Sequence, residues 1–232
     1  MRIPIVRDVL EESNARAQEN HALLNKFGIC TVNLMSSPGS GKTTLLARTI
    51  SELNKSALRC AVIEGDITST LDSERLQPLG VPVVQVNTDP FGGDCHVGSH
   101  FVQGALKYLE LDKLDYLFIE NIGNLVCPAE FYLGEHERVV VLSLPEGEDK
   151  PLKYPLMFRE CNLCLLNKVD LAPHLEVSAE RFTENIHKIN GALRVISISG
   201  KTGEGFEEWM TWLQTRRADH LSRPGLKAAE EA

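Results

Sequence analysis

With 232 residues, 43% of them hydrophobic, the chain is long enough to bury one substantial core, so a single α/β domain with small additions is expected. A formal net charge of -8 excludes nucleic-acid binding by bulk electrostatics, which needs a basic face against the phosphates. No stretch approaches the roughly 18 apolar residues of a membrane span and the charged start MRIPIVRDVLEES lacks a secretory apolar segment, so a cytoplasmic protein with no membrane partner is expected, its six cysteines serving as thiols or metal ligands more than as a disulfide framework.

Residues 5–27 place Ile5, Val6, Val9, Leu10, Leu23 and Leu24 in a charged background ahead of Gly28, a candidate C-terminal cap, which predicts a leading helix within residues 1–28 packed on a main domain of residues 29–217. Seven β-branched or apolar runs follow: CTVNLM (30–35), RCAVIEGD (59–66), VPVVQVN (81–87), DYLFIEN (115–121), RVVVLSL (138–144), CLLNK (164–168) and RVISIS (194–199). Such continuous runs suit strands covered on both faces. Between them TTLLARTISELNK, HVGSHFVQGALKYLEL, SAERFTENIHKIN and GFEEWMTWLQTRR have helical spacing, so the expected class is α/β, a mostly parallel central sheet with helices on both faces. Residues 218–232, with Pro224 and Gly225 and no apolar stripe, are expected to form a mobile tail.

SSPGSGKTT (36–44) lies between the first strand and the first helix of the sheet, where a phosphate-binding loop belongs. Gly39, Ser40 and Gly41 let backbone N–H groups turn inward, Lys42 bridges the outer phosphates, and Thr43, followed by Thr44, offers a hydroxyl to Mg²⁺. The usual pattern is G-x-x-x-x-G-K-[ST], and Ser36 stands at its first glycine. LLNKVD (165–170) ends a strand with Asn167, Lys168 and Asp170. The Asp170 carboxylate can accept two hydrogen bonds from guanine, and adenine has no matching donor pair, so GTP and GDP are favoured over adenine nucleotides. Ser199, Gly200 and Lys201, in SISGKTGEG, end the next strand, where a loop can support the base.

FIENIGN carries Glu120 and Gly123 in a D-x-x-G-like arrangement. Glu120 would hold Mg²⁺ and the Gly123 N–H would meet the γ-phosphate. Asn124 stands where many GTPases carry a water-orienting Gln, one methylene longer, so slow hydrolysis is expected, with Asp66 the candidate for orienting water or supporting Mg²⁺ and Lys42, Asp66 and Glu120 the catalytic set. A loop or capping carboxylate is the plainer reading of Asp66. In TDPFGGDCHVGSH, Asp94 is a candidate N-cap placing Cys95 and His96 in a helix's first turn, where a thiolate is favoured. Cys127 lies shortly after Gly123. A Cys, His, Cys set suits Zn²⁺ or Ni²⁺ but leaves coordination incomplete, so a second copy across a two-fold axis is expected, a nucleotide-dependent homodimer. Spacing alone leaves open buried thiols beside a solvated imidazole. His100, four residues after His96, is an outer-sphere candidate or a plain surface histidine. Cys161 and Cys164 form a C-x-x-C that reads as core packing, as do Cys30 and Cys60.

With SSPGSGKTTLL, EGD, DCH, ENIGNLVCP and NKVD in this order, the sequence resembles the HypB family over roughly residues 5–215. The resemblance implies the P-loop NTPase fold and a dimerising GTPase that delivers nickel to the [NiFe] hydrogenase large-subunit precursor together with a HypA-like zinc protein. It also implies that Cys95, His96 and Cys127 form the metal site. Many bacterial members carry an N-terminal Cys-rich motif or His-rich tract; neither occurs here, so N-terminal nickel storage is not expected. EGEDKPLKYP (146–155) offers Lys150 and Lys153, either of which would reach a partner subunit's nucleotide or sit in solvent as an ordinary loop lysine. The rival readings are the related urease-maturation GTPases, whose Cys-Pro-His motif is absent here, a small-molecule P-loop kinase, which has no use for N-K-x-D, and a metal-storage or sensor module.

Overall fold

Each of the seven apolar runs becomes a strand in the computed structural model, which describes residues 7–67, 71–88 and 95–223. They are β1 (Cys30–Ser36), β2 (Cys60–Asp66), β3 (Val83–Asn87), β4 (Tyr116–Glu120), β5 (Glu137–Ser143), β6 (Leu163–Asn167) and β7 (Arg194–Ser197). They form one sheet in the order β3-β2-β4-β1-β5-β6-β7, and every pairing is parallel. Parallel neighbours need crossovers, and helices between the strands supply them: α2 (Lys42–Lys55), α3 (Leu71–Leu76), α4 (Ser99–Leu106), α5 (Cys127–Glu130), α6 (Lys150–Lys153), α7 (Pro155–Glu160) and α8 (Ala179–Ile189), with α1 (Arg7–Lys26) before the first strand and α9 (Phe206–Leu221) after the last. None of the described helices is long and apolar enough to cross a membrane.

Alternation along the strands divides the core between the two faces. Cys30, Val32 and Leu34 of β1 pack with Leu45, Leu46 and Ile50 of α2 and with Trp209 and Leu213 of α9. Ala61, Ile63, Leu117 and Ile119 point the other way, onto Leu24 of α1 and Val102 and Leu106 of α4. A third cluster joins Val140, Leu142 and Leu166 to Phe158 of α7 and Phe182 of α8. Because all strands run the same way, their C-terminal ends line one edge, where ligands of open α/β sheets bind.

Two expectations change at element ends. The predicted helix from residue 96 begins only at Ser99: Gly98 is extended (φ −89°, ψ 160°) and caps α4. Cys95 and His96 thus precede the helix in a bend and gain nothing from its dipole; Asp94, the expected cap, lies outside the described residues. At the other end α9 runs to Leu221 with His220 only 2% exposed, so ordered chain continues past residue 217; residues 224–232 lie outside the described residues.

Both terminal helices are held at the bottom of the sheet. Gly28 ends α1 with φ 65°, its N–H bonded to the Asn25 carbonyl (3.0 Å). Further up, α1 rests on Gly134, where any Cβ would come 2.7 Å from the Ala17 carbonyl oxygen. The rings of His21 (α1) and His136 lie 4.8 Å apart, and those of His136 and His220 (α9) 3.9 Å. His136 Nδ1 accepts from the Thr31 N–H (3.0 Å) and its Nε2–H donates to Asn25 Oδ1 (3.0 Å), which fixes a neutral tautomer. Burial, then His220, His21 and Arg223, push His136 down to about 3; burial, then Arg223, His21 and Arg217, push His220 down to about 4.

Both values lie below the ordinary 6.5, so the unfolded chain takes up protons first as pH falls. The stability present above 6.5 is lost on acidification, by up to about 1.4 kcal/mol per pH unit for each histidine between its two pKa values. Thermal melting as a function of pH is expected to be flat near 7 and to fall from 6.5 towards 4. In His220→Leu that slope shrinks; an unchanged slope would show that the stack does not set the acid sensitivity.

Candidate nucleotide and metal site

The turn from β1 into α2 is shaped by glycine. Gly39 and Gly41 take φ values of 75° and 95°, which only glycine adopts cheaply, and a Cβ on Gly41 would stand 2.6 Å from Asn167 Nδ2. Lys42 is buried, and its Nζ donates to the Ser36 hydroxyl (2.7 Å). The Ser36 hydroxyl donates in turn to the Ser37 carbonyl (2.6 Å), as does that of Ser40 (2.6 Å). Serine at the first-glycine position is therefore the group that holds the lysine.

Thr43 Oγ1 donates to Glu120 Oε1 (2.7 Å), whereas Glu120 Oε2 is buried without a hydrogen-bond partner. Burial raises the Glu120 pKa, against Lys42 and the Thr43 bond; burial lowers that of Lys42, against Glu120. Glu64 lies beside Glu120 in the β2–β4 register. Burial, then Glu120, push it up to about 8, against a bond from the Ser73 hydroxyl (3.1 Å). Donor oxygens of Glu64, Asp66 and Asp72 fall within 4.8 Å of one another, the one group of three such donors found among the described residues. The sequence reading selects Asp66 and misses the other two. Glu64 has a signal, a carboxylate inside the apolar run AVIEG; Asp72 has none.

The residues expected to read the base stand at the C-terminal ends of β6 and β7. Asn167 Nδ2 donates to the Ser40 carbonyl (2.8 Å), and its Oδ1 accepts from the Gly200 N–H (3.0 Å). Lys168 has φ 62°, which turns its Nζ onto the Gly39 carbonyl (2.5 Å). Asp170 Oδ1 accepts from the Ser199 hydroxyl (2.6 Å), which itself accepts from the Thr202 N–H (3.0 Å). A cavity of about 390 Å³ joins these residues to Gly41, Thr44, Gly200 and Lys201. The Thr44 hydroxyl accepts from Arg75 (2.9 Å).

Cys95 and Cys127 meet, with Cα atoms 6.3 Å apart, and are joined as a disulfide. The expectation is of thiols or metal ligands more than a disulfide framework, and this is the one pair among the described residues; a metal requires it reduced. The His96 ring stacks on Phe131 (centroids 4.0 Å, 9° between planes), and the exposed His100 ring lies 4.0 Å from that of Phe101. Asn124, at the position where many GTPases carry a water-orienting Gln, faces the cysteine loop: its Nδ2 donates to the Cys95 carbonyl (3.4 Å) and its Oδ1 accepts from the Val126 N–H (2.8 Å). Gly123 lies on the phosphate loop, where a Cβ would come 2.9 Å from Pro38 Cα. Lys153 pairs with Asp149 (2.5 Å) and Lys150 lies over the Tyr154 ring. The other four cysteines are free and buried, Cys161 beside Met157 (sulfurs 3.9 Å apart).

A family model described as the nucleotide-binding domain of CobW/HypB/UreG matches residues 30–197. The chain belongs to this family, within its HypB branch. It is similar to the hydrogenase maturation factor HypB of Escherichia coli strain K12, 48% identical over 210 residues that make up 90% of this chain and 71% of that protein. Among solved structures it is similar to HypB from Helicobacter pylori in complex with nickel, with a TM-score of 0.83 and 33% identity over 90% of this chain and 96% of that one. HypB from Archaeoglobus fulgidus gives 0.82 and 36%, over 90% and 100%. The seven-stranded sheet is thus the P-loop NTPase fold of the HypB proteins. The matched span contains the phosphate loop, the N-K-x-D residues, both paired cysteines and the three clustered carboxylates.

Proposed function

We propose that this HypB-family chain is a GTP-hydrolysing metallochaperone that delivers nickel for [NiFe] hydrogenase maturation, and that nucleotide-dependent homodimerisation governs a metal site of Cys95, His96 and Cys127. The observation that carries this reading is one short segment, residues 120–127. Glu120 at its start bonds Thr43 of the phosphate loop, Gly123 rests on Pro38, and Cys127 at its end meets Cys95. A γ-phosphate arriving between Pro38 and Gly123 changes the position from which one sulfur ligand is offered.

The nucleotide chemistry follows from the same residues. Asp170 selects guanine, Lys42 and the inward backbone N–H groups of residues 39–43 balance phosphate charge, and the site excludes water around a buried lysine. The unpartnered Glu120 Oε2, the Thr43 hydroxyl and the neighbouring carboxylates are hard oxygen donors that fit Mg²⁺, which when bound neutralises charge between the β- and γ-phosphates. Asp66, with Glu64 and Asp72, orients the attacking water or holds Mg²⁺ from its outer side. With the disulfide reduced, two thiolates and one imidazole suit Ni²⁺ or Zn²⁺ and leave coordination open for a second copy. A HypA-like zinc protein and the hydrogenase large-subunit precursor are the proposed source and destination of nickel, in keeping with the activity named for the E. coli relative.

The test is titration of Ni²⁺ and Zn²⁺ into reduced protein in its apo, GDP and non-hydrolysable GTP forms while oligomer size is followed. Affinity is expected to differ between nucleotide forms, and Cys127→Ser to weaken Ni²⁺ binding by about a hundredfold or more, since even outer partners of metal ligands contribute about 10–100-fold. Equal affinity in all three forms removes the coupling; undiminished binding by Cys127→Ser removes the site.

A further inference from the structure

Asn121, one residue beyond Glu120, takes part in neither nucleotide nor metal chemistry. It is 1% exposed. Its backbone N–H continues the β1–β4 ladder onto the Leu34 carbonyl (3.0 Å), so residue 121 moves with the strand end. Its side-chain Oδ1 accepts two backbone hydrogen bonds, from the Ile122 N–H (2.9 Å) and from the Val97 N–H (3.0 Å). Its Nδ2 donates to Asn33 Oδ1 (3.3 Å), and Asn33 Nδ2 donates to Glu135 Oε1 (3.3 Å). Glu135 is anchored by the Leu133 N–H (2.7 Å) and Arg138 Nε (2.7 Å).

Val97 is the other half of the joint. It follows Cys95 and His96 and is fully buried, and its Cγ2 fills the space in which Gly65 would carry a Cβ. Gly65 separates Glu64 from Asp66. The loop bearing two metal-ligand candidates is therefore wedged at one residue between the carboxylates of β2 and the carboxamide that ends β4. Breaking the Val97–Asn121 bond strands the buried Val97 N–H at about 1–3 kcal/mol, while Oδ1 keeps the Ile122 N–H, so the two segments travel together.

We infer that Asn121 is the positioning residue that couples the metal loop to the nucleotide site: a shift of the β4 end is transmitted through Oδ1 to Val97, and so to Cys95 and His96. This rests on the coupled GTPase reading above and names the group that carries it, alongside the covalent continuity of residues 120–127, which reaches only Cys127. A carboxamide is the suited group. It accepts twice and donates once while neutral, whereas a carboxylate between Glu120 and Glu135 would add buried negative charge and lose the Asn33 bond.

The test compares Ni²⁺ affinity of the reduced full chain with GDP and with a non-hydrolysable GTP analogue, in wild type, Asn121→Ala and Asn121→Asp. The ratio of the two affinities is the readout, because a merely structural loss weakens both states alike and leaves the ratio unchanged. We expect the wild-type ratio to fall to within about twofold of one in Asn121→Ala, and Asn121→Asp, which keeps the oxygen facing Val97, to retain most of it. If Asn121→Ala does not fold, Asn121→Ser, too short to reach Val97, takes its place. A folded Ala or Ser variant with the full wild-type ratio overturns the joint alone. A wild-type ratio of one overturns the coupled reading and the joint with it.

Discussion

Replacing Lys42 with alanine is expected to slow GTP turnover by at least about a hundredfold under single-turnover conditions. The residue is buried and its Nζ donates to the Ser36 hydroxyl (2.7 Å), so the ammonium is held ready by a neutral acceptor. Burial lowers its pKa, and Glu120 opposes that; arriving phosphates add negative charge that favours the cation further. Loss of one preorganised donor to developing charge typically costs about 2.7–4 kcal/mol in the transition state, and here the donor also carries charge. Ser36→Gly is the companion variant. It recreates the more usual loop and removes only the tether, so its rate is expected to stay within about tenfold of wild type. A Lys42→Ala rate within tenfold of wild type would place the chemistry outside this loop.

The second large effect concerns base identity. Asp170→Asn is expected to weaken GTP binding by about a hundredfold and to improve xanthosine triphosphate binding. Guanine presents two donors to a carboxylate. Xanthine replaces the exocyclic amine with a carbonyl, which the amide donor of the variant would meet and the native carboxylate would repel. The exchange of one charge-assisted pair for a neutral one, with a donor now opposed to a donor, corresponds to about 2–3 kcal/mol. The Ser199 hydroxyl that donates to Asp170 Oδ1 (2.6 Å) can still donate to an amide oxygen, so the side chain keeps its setting. Competition between the two nucleotides for the variant decides the matter, and unchanged preference for GTP would mean that Asp170 does not read the base.

The seven strands and the glycine turn after the first of them are legible in the sequence because both depend on local chemistry; the order β3-β2-β4-β1-β5-β6-β7 is not, since it is set by pairing between distant segments. A strand buried on both faces must be an unbroken apolar run, as AVI and LFI are, and a loop that wraps phosphate must place glycine where φ is positive, as at Gly39 and Gly41. What escapes depends on partners distant in the chain. The start of α4 lies later than its local pattern predicts because nothing nearby in sequence shows Gly98 extended and Val97 held by Asn121. The length of α9 is hidden because His220 looks like a polar tail residue until His136 and His21 are seen against it. Asn124 is placed by its distance to Gly123 where many GTPases carry a water-orienting Gln, but where its carboxamide turns, towards Cys95, is not legible locally. The meeting of Cys95 with Cys127 follows from resemblance, and spacing alone leaves it open.

Asn167 has a consequence for how nucleotides are told apart. Its carboxamide spans from the Ser40 carbonyl to the Gly200 N–H, and Lys168 clamps the same turn at Gly39. The two ends of the cavity are thereby set at a constant gauge, as the jaws of a caliper are by one screw. On the proposed reading, every guanine nucleotide would be measured against the same opening whatever its number of phosphates, and discrimination between a triphosphate and a diphosphate would fall to the contact of Gly123 with Pro38, beyond the reach of that gauge.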